Sequence, residues 1–406
     1  MTTYSGQQQL AFDTEAAWAE NVTTFTYEAP LAAPIEISGV TQQMLDPERV
    51  TARRNEYSKG VLGPWNIAYS TTHNLTGHGS TCAGAITATA QARILGHVLG
   101  GRDTTLAAGT TATGGTATVP TLTAASGFPA GGMVRFGSLT DGDGEGQFIP
   151  FSTHASNNLN ALLALDGAPA ATQVVYSPEL VYPADSGSTM TGMRHRIMSA
   201  GLQWAVHGVF PTGISFSGLG PGENPKYTIN WTGSWAQPLA ATFPGTTPDQ
   251  FNWQQPSAGG SLVIADHGAT TRTRYGVRAF AINYTLGMIP VMGGNGVNQY
   301  QVITGATRAK DTIQVSLTVD NLQSATTTPT WWDKWFANTN QHLCYTLHSV
   351  DGTAVGFYFR LLHWTANRPS QTATNDRNTI PLVFQANNGS TTTSDLTLSS
   401  MLLAIA

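Results

Sequence analysis

The chain has 406 residues, of which 41% are hydrophobic and 11% are charged, and its formal net charge is −5. The hydrophobic share is sufficient for a buried core, so the composition excludes a disordered chain. Charged residues usually make up about a quarter of a soluble protein. Their scarcity here favours a surface that neighbouring subunits largely cover, and the alternative is solubility that rests on Thr, Ser, Asn, Gln and Gly. The sequence has no cluster of Lys and Arg that would displace phosphate counterions, which excludes general nucleic-acid binding.

Residues 1–30 have neither a basic start nor an apolar core, so we expect no secretory signal. No run approaches the ~18 apolar residues of a membrane span. Cys82 and Cys344, the two cysteines, are too few for a disulfide framework. A single bridge between them is an open alternative, but we favour two free buried thiols in a reducing cytoplasm.

Residues 1–104 begin with a polar arm that leads into short strands and one helix. Asp46–Gly60 is the most charged stretch, and because no apolar residues form a helical stripe there, we expect a solvent-facing loop or short helix. Thr87–Leu99 predicts a helix that ends at Gly100-Gly101, with apolar residues at helical spacing. The predicted strands are Asn21–Tyr27, Ile35–Ser38 and Trp65–Tyr69.

A change of composition separates residues 105–182 from the rest. Thr104–Pro120 is almost purely Thr, Ala and Gly, and turn-rich segments then separate short runs of strand character. The predicted strands are Gly132–Phe136, Gln147–Phe151, Leu159–Leu165 and Gln173–Tyr176. We therefore interpret 105–182 as a small β module inserted into a main domain that comprises residues 1–104 and 183–406.

The remainder of the chain has the two-residue periodicity of half-buried antiparallel strands. Asp351-Gly352 lies between two alternating runs, which predicts a hairpin. The predicted strands are Leu202–Phe210, Gly213–Gly218, Tyr227–Trp235, Val277–Leu286, Thr312–Val319, Cys344–Val350, Val355–Trp364 and Ile380–Asn387. The fold class that follows is mainly β.

Thr312–Val319 has the clearest alternation in the chain. Its apolar residues are Ile313, Val315, Leu317 and Val319, and its neutral polar residues are Thr312, Gln314, Ser316 and Thr318. Since side chains alternate across a strand, we expect the polar set to meet water or a neighbouring molecule.

Trp331–His342 predicts a helix with a single aromatic face, and Thr330 with Asp333 resembles a capping box. Such a face most often packs on a sheet, and a ligand platform is the alternative. The residues of this face are Trp331, Trp332, Trp335 and Phe336.

Candidate chemical sites each have an ordinary structural explanation. Asp141, Asp143 and Glu145 lack the spacing of a calcium loop and are typical of a solvated turn. His73, His78 and Cys82 do not complete a zinc ligand set. We place Arg194-His195-Arg196 at a subunit seam, with phosphate contact as the alternative. The acidic residues that a glycosidase pair would need fall in turns or near breaks: Glu15, Glu36, Glu145, Glu179 and Glu223.

Catalytic and nucleotide-binding sequence motifs are absent from the chain: it has no G-x-S-x-G elbow, no Walker loop and no G-x-G-x-x-G after a strand. Glycoside hydrolysis has no such signature, so the sequence alone leaves it open. We expect no enzymatic activity, no metal and no cofactor.

Four features, in their order along the chain, resemble the tail tube (major tail) proteins of long-tailed bacteriophages. They are the polar arm with PERVTARRNEYSKG and TATAQARILGHVLGG, the inserted FPAGGMVRF…LNALLALDGAPAATQVVYS, the central GVFPTGISFSGLGPGENPKYTINWTG, and the closing AINYTLG…TIQVSLTVDN…WWDKWF…GFYFRLLHW…NTIPLVFQAN. The likeness spans nearly the whole chain and is one of pattern, and the inserted module is larger than a minimal tube protein needs.

The resemblance implies a β-sandwich with a flanking helix, whose subunits close into rings, most often hexameric, that stack into a hollow tail through which DNA passes. It implies assembly in the host cytoplasm, location in the virion tail, and partners among copies of itself and the tape measure, terminator and tail tip proteins. Thr312, Gln314, Ser316 and Thr318 would face the channel. The residues expected to contact the neighbouring ring are Glu48, Arg49, Arg53, Arg54 and Lys59. A carbohydrate-binding receptor protein, with Trp231, Trp235 and Trp253 available for sugars, and a capsid or decoration protein are the alternatives.

Overall fold

The computed structural model describes residues 8–16, 18, 25–45, 61–78, 89–103, 110–125, 128–137, 146–184, 189–199, 202–239, 261–294, 301–320, 331–347, 353–367, 369, 372–374, 377–387 and 396–406. In this part of the chain the protein is mainly β, as the sequence predicts.

The first elements are β1 (Gln9–Thr14), β2 (Tyr27–Ala29), β3 (Glu36–Leu45), β4 (Val61–Asn74), α1 (Ala90–Leu99) and β5 (Gly100–Asp103). The next are β6 (Thr110–Gly115), β7 (Pro120–Leu122), β8 (Gly132–Phe136), β9 (Phe148–Ala155), β10 (Asn158–Ala161) and β11 (Val174–Tyr176). They are followed by β12 (Glu179–Pro183), β13 (Thr189–Met190), β14 (Met193–Ser199), β15 (Leu202–Ser217) and β16 (Lys226–Leu239).

The second half contains β17 (Ser261–Asp266), β18 (Thr273–Tyr275), β19 (Val277–Thr285), β20 (Met288–Gly294), β21 (Gln301–Arg308) and β22 (Thr312–Asp320). After it come α2 (Trp331–Phe336), β23 (Gln341–Leu347), β24 (Val355–Trp364), β25 (Thr372–Thr374), β26 (Arg377–Ala386), a 3-10 turn at Leu396–Leu398 and β27 (Leu402–Ile405).

An antiparallel system of 18 strands folds over into two layers. Sheet I has the order β3-β4-β16-β15-β19-β22-β26, in which β19 pairs with the second half of β15. The first half of β15 pairs with β14, and the sheet continues there in the order β14-β1-β2. Sheet II has the order β18-β17-β23-β24-β27-β12-β5. The eighteenth strand, β25, pairs with the start of β26, and the two sheets join where the end of β24 pairs with β26.

The main core lies between the two sheets. The Phe280 ring of sheet I lies 4.5 Å from the Tyr345 ring of sheet II, and the rings of Phe216 and Phe357 are 5.3 Å apart. Because one face of each strand supplies these side chains, the two-residue periodicity of the sequence becomes the division between core and surface. Each large apolar side chain buried in this way stabilises the fold by about 1.5–3 kcal/mol.

Helix α1 closes one side of this core and confirms the sequence prediction. The Thr89 hydroxyl accepts a hydrogen bond from the Ala92 N–H at 3.1 Å, which caps the first turn. Gly100 ends the helix in the left-handed conformation, with φ of 95°. The four apolar residues predicted for its inner face, Ala90, Ile94, Leu95 and Val98, are all buried.

A separate closed barrel, with strand order β10-β7-β6-β11-β8-β9, occupies residues 110–176. Its own core includes Val134, Phe136 and Phe151, whereas Met133 and Phe148 pack outward against sheet II. Sheet II is therefore covered on both faces, as β23 shows: Leu343 and Tyr345 point to sheet I, and Cys344 points to the barrel. The layers follow the order sheet I, sheet II, barrel.

Three predicted boundaries were wrong. The inserted module was predicted to extend to residue 182, but residues 179–183 form β12, which pairs with β5 and β27 of sheet II. The two strands predicted before Gly218 form one long strand, β15, with an irregularity between Pro211 and Gly213. The predicted Trp331–His342 helix ends at Phe336, because Asn338 adopts a left-handed φ of 50° and Gln341 begins β23.

Candidate functional site

The outward side of sheet I carries hydroxyl and amide side chains across six adjacent strands, β4, β16, β15, β19, β22 and β26. We call this set the polar face. Its members are Ser70, Thr72, Thr228, Asn230, Thr232, Ser215, Asn283, Thr285, Thr312, Gln314, Ser316, Thr318 and Gln385, and each is half-buried or exposed. Sheet I thus has one face packed on the core and one face toward solvent, as antiparallel sheets commonly do.

The strand register aligns these side chains into rows. In the longest row, Thr72 lies opposite Thr228, Thr228 opposite Ser215, Ser215 opposite Asn283, Asn283 opposite Gln314, and Gln314 opposite Gln385. The hydroxyl oxygens of Thr72 and Thr228 are 2.9 Å apart, so neighbouring members also hydrogen-bond to each other. With strands about 4.8 Å apart, a row over six strands is roughly 24 Å wide.

Charged side chains lie at the margins of the polar face. Glu36 is on the edge strand β3, and Lys226 is the first residue of β16. At the start of β19, the Arg278 Nε lies 2.7 Å from the Asp320 carboxylate, so that pair is locally neutral. Among the described residues, the members of these rows include no Lys or Arg, so a phosphate group would find no cation in the rows themselves, and cations are the main source of affinity for nucleic acid.

Buried polar contacts beneath the polar face fix strands β4 and β16. The Trp231 Nε1–H donates to the Thr71 hydroxyl at 2.8 Å, and the Tyr69 hydroxyl lies 2.6 Å from the Nδ1 of His195. Burial lowers the pKa of His73 to about 4 and also lowers the pKa of His195. Both rings are neutral at pH 7, so these contacts place no charge under the face.

The structure places the four residues predicted to face the channel on the polar face. Thr312 and Gln314 are exposed and Ser316 and Thr318 are half-buried, while the alternate apolar side chains of β22 are buried. The predicted alternation is confirmed. Their position in a channel stays a prediction.

Helix α2 packs on the main fold through part of its aromatic face. Trp331 is buried, with its ring 5.1 Å from that of Tyr275, and the Trp335 Nε1–H donates to the Thr365 carbonyl at 3.1 Å. Trp332 is half-buried and Phe336 is 74% exposed. The prediction that all four aromatic residues dock on the sheet is wrong for Phe336, because the helix ends there.

Several predicted sites lie outside the described residues. These are the charged loop with Glu48, Arg49, Arg53, Arg54 and Lys59, the acidic turn with Asp141, Asp143 and Glu145, and Cys82. Cys344 is a buried free thiol, as predicted.

The Arg194-His195-Arg196 prediction was wrong, because this segment finds its partners within the chain. Arg194 lies 3.3 Å from the Asp13 carboxylate, and Arg196 donates to the Gln203 side chain at 2.7 Å. His195 is fully buried beside Tyr69. These contacts hold the segment within the folded subunit, and none of them involves a second copy.

Two acidic residues that the sequence assigned to turns are buried instead. Glu15 accepts a hydrogen bond from the Gly208 N–H at 2.9 Å. Glu179 lies in β12 with no exposed surface, and burial raises its pKa to about 7 although Arg102 is 3.7 Å away. The two carboxylates lie in different parts of the fold: Glu15 directly follows β1, and Glu179 lies on β12 between β5 and β27.

Within the described ranges, no group of three or more His, Cys, Asp or Glu side chains is arranged to hold a metal ion. Among the helices of the described residues, none has the length and apolar character needed to cross a membrane. The chain matched no protein-family model and no curated protein.

Sequence reasoning found one strand of the polar face and overlooked the others. The signal was present in β16, where Thr228, Asn230 and Thr232 alternate with buried Tyr227, Ile229 and Trp231. What the sequence did not provide was the strand order, which brings β16 and β22 into one sheet through β15 and β19.

Proposed function

We propose that this protein is a structural subunit of a bacteriophage tail tube: copies close into rings, and the rings stack into a hollow conduit for DNA. The observation that carries the proposal is the polar face, an uncharged surface of hydroxyl and amide groups that spans six strands. A surface that DNA slides past should offer no fixed cations, since phosphate contacts create binding.

The layer order supports the same function. The barrel packs on the side of sheet II that faces away from sheet I, so the polar face and the barrel lie on opposite sides of the subunit. If the polar face lines a channel, the barrel lies on the outside of the tube, where an insertion leaves the bore unobstructed. Ring closure would also cover sheet edges that have no partner strand among the described residues, such as β3 and β5, and that otherwise invite uncontrolled pairing.

The carbohydrate-binding alternative loses part of its support. Trp231, one of the aromatic residues assigned to sugar stacking, is 1% exposed and donates its Nε1–H to Thr71 within the core. A ring in that position has no face available for a sugar.

Electron microscopy of the purified protein tests the proposal. We expect rings and hollow tubes over a range of protein concentrations, in the absence of nucleic acid. Compact single particles at every concentration would contradict self-assembly, and closed shells would favour the capsid alternative. Added oligosaccharide should leave the tubes unchanged.

A further inference from the structure

A cavity of about 290 Å³ lies at one side of the main core, where strands of both sheets meet helix α1. Its walls come from α1, from β5 of sheet II, and from β1, β2 and β14 of sheet I. None of these strands belongs to the six that carry the polar face, so the cavity is a separate feature of the subunit. Its volume is close to the lower limit, roughly 300 Å³, of the pockets that bind small molecules.

Two arginines and a histidine line this cavity, which we call the arginine cavity. Arg93 and His97 lie one turn apart on α1 and so share a face of the helix, and Arg102 lies on β5. All three side chains are half-buried, so solvent reaches these walls. Arginine is the side chain whose planar group of donors best fits the oxygen atoms of carboxylate and phosphate groups.

Both arginine side chains are held against the cavity wall. The Arg93 guanidinium carbon lies 4.5 Å from the centre of the Tyr27 ring, at the distance of a cation–π contact. A Cβ atom at Gly96 would lie 3.0 Å from the Arg102 Cβ, so the glycine lets the Arg102 stem lie directly against the helix. Side chains that are ordered before binding lose less entropy when a ligand arrives.

Two carboxylates lie at the arginine cavity, and they leave it with positive charge. Asp13 on the wall is matched by Arg194, which lies 3.3 Å away. Glu179 lies 3.7 Å from the Arg102 Nε, and burial raises its pKa to about 7 against the opposing influence of Arg102 and Arg93. Near pH 7 the Glu179 carboxyl is about half protonated, so it does not neutralise both guanidinium groups.

His97 supplies a third polar group at the arginine cavity. Among the described residues, its Nε2 atom is buried and has no hydrogen-bond partner. Burial and the nearby Arg308 lower the His97 pKa to about 3, so the ring is neutral at pH 7 and carries one N–H. A buried polar atom without a partner is unfavourable. With the proton on Nε2, the ring would donate to an oxygen atom of a ligand in the cavity.

We propose that the arginine cavity binds a small oxyanion, such as phosphate or a short dicarboxylate, between Arg93 and Arg102, with the His97 Nε2–H as a further donor. The bound anion would join α1 to β5 and so link the two sheets at this side of the core. The site goes beyond the proposed function, since it belongs to the folded subunit and does not depend on rings or tubes.

Isothermal titration calorimetry of the purified protein tests the site, with sodium phosphate and sodium succinate as separate probes and sodium chloride at equal ionic strength as the blank. For at least one probe we expect one site per subunit with a dissociation constant of about 1 mM or lower. Arg93→Gln and Arg102→Gln should each weaken binding about tenfold or more, because each removes a charged hydrogen-bond donor. Arg278→Gln removes an equal charge from an exposed pair with Asp320, and as the matched control it should bind like the wild type.

The His97 ring reports directly on the cavity. Its resonances in nuclear magnetic resonance spectra of the wild type are assigned by their loss in His97→Gln. At constant pH, the probe that binds should shift them with the same concentration dependence as the calorimetric signal. The resonances of His267, which is exposed, should stay in place.

Three results would overturn the proposal. The first is that neither probe binds at concentrations up to about 10 mM. The second is binding that leaves the His97 resonances unchanged, since the anion would then lie elsewhere. The third is an equal loss of affinity in Arg278→Gln, which would show that anions are attracted by the general charge of the surface. Because the spectra are those of the wild type, they decide the question even if an arginine variant fails to fold.

Discussion

Mild acid should unfold this protein, because several histidines are buried in the uncharged form. Burial lowers the pKa of His73 to about 4, and burial together with the nearby Arg308 lowers the pKa of His97 to about 3, from an ordinary value of 6.5. The unfolded chain therefore binds more protons than the folded chain between about pH 4 and pH 6.5, and stability falls as the pH is lowered through that range.

The magnitude follows from the size of these shifts. At pH 5 an unfolded histidine lies 1.5 pH units below its pKa, whereas His73 and His97 are still neutral in the folded protein. Each unit corresponds to about 1.4 kcal/mol, so the two residues together cost roughly 4 kcal/mol of stability on going from pH 7.5 to pH 5. This is a large part of the 5–15 kcal/mol that holds a typical domain together.

Urea unfolding at pH 7.5 and pH 5, followed by tryptophan fluorescence, measures this loss. His97→Asn removes one of the two groups, and we expect its loss of stability between the two pH values to be about 2 kcal/mol smaller than that of the wild type. Asn283→Gln, at an exposed position of β19, changes no titratable group and is the control that should keep the wild-type dependence. Equal stability of the wild type at both pH values would refute the reasoning.

Three further predictions concern the carboxylate in β12, the barrel and the polar face. Glu179→Gln should stabilise the protein by about 3 kcal/mol at pH 8 and by less than about 1 kcal/mol at pH 5, because burial raises the Glu179 pKa from 4.5 to about 7 and only its charged form is disfavoured; urea unfolding at both pH values measures this. Phe148→Ala should destabilise by about 3–5 kcal/mol in thermal or urea unfolding, since Phe148 fills the contact between barrel and sheet II, and a loss below 1 kcal/mol would show that the barrel is loosely attached. The double variant Gln314→Lys, Thr318→Lys should leave tube assembly intact yet slow DNA ejection from assembled phage. The slowing should be strongest at low salt, because salt screens the attraction between lysine and phosphate. Unchanged ejection kinetics would place these residues away from the DNA path.

The sequence predicted those strands of sheet I whose burial on one face imposes a clear period of two, but it gave β1 as a polar arm and did not predict β14. Thr312–Val319 shows this most plainly, with four buried apolar residues in alternation. Helix α1 was predictable because its apolar spacing, its Thr89 cap and its final Gly100 are all local features. The pairing of strands that are distant in sequence, by contrast, has no local signal.

Long-range pairing explains what was missed. Strand β12 lies within the predicted module, yet its partners β5 and β27 come from before and far after that module in the chain. The polar face likewise depends on the placement of β15 between β16 and β19, which no local pattern encodes. The β20–β21 hairpin was not predicted, because Pro290, Gly293 and Gly294 interrupt the strand pattern of β20.

A three-dimensional reconstruction of the assembled tube, with the subunit fold traced, tests the central claim most directly. We predict that the row from Thr72 to Gln385 lies on the wall of the channel and that the barrel of residues 110–176 lies on the outer surface. A reconstruction with the barrel toward the channel and the polar face on the outside would contradict the proposed conduit.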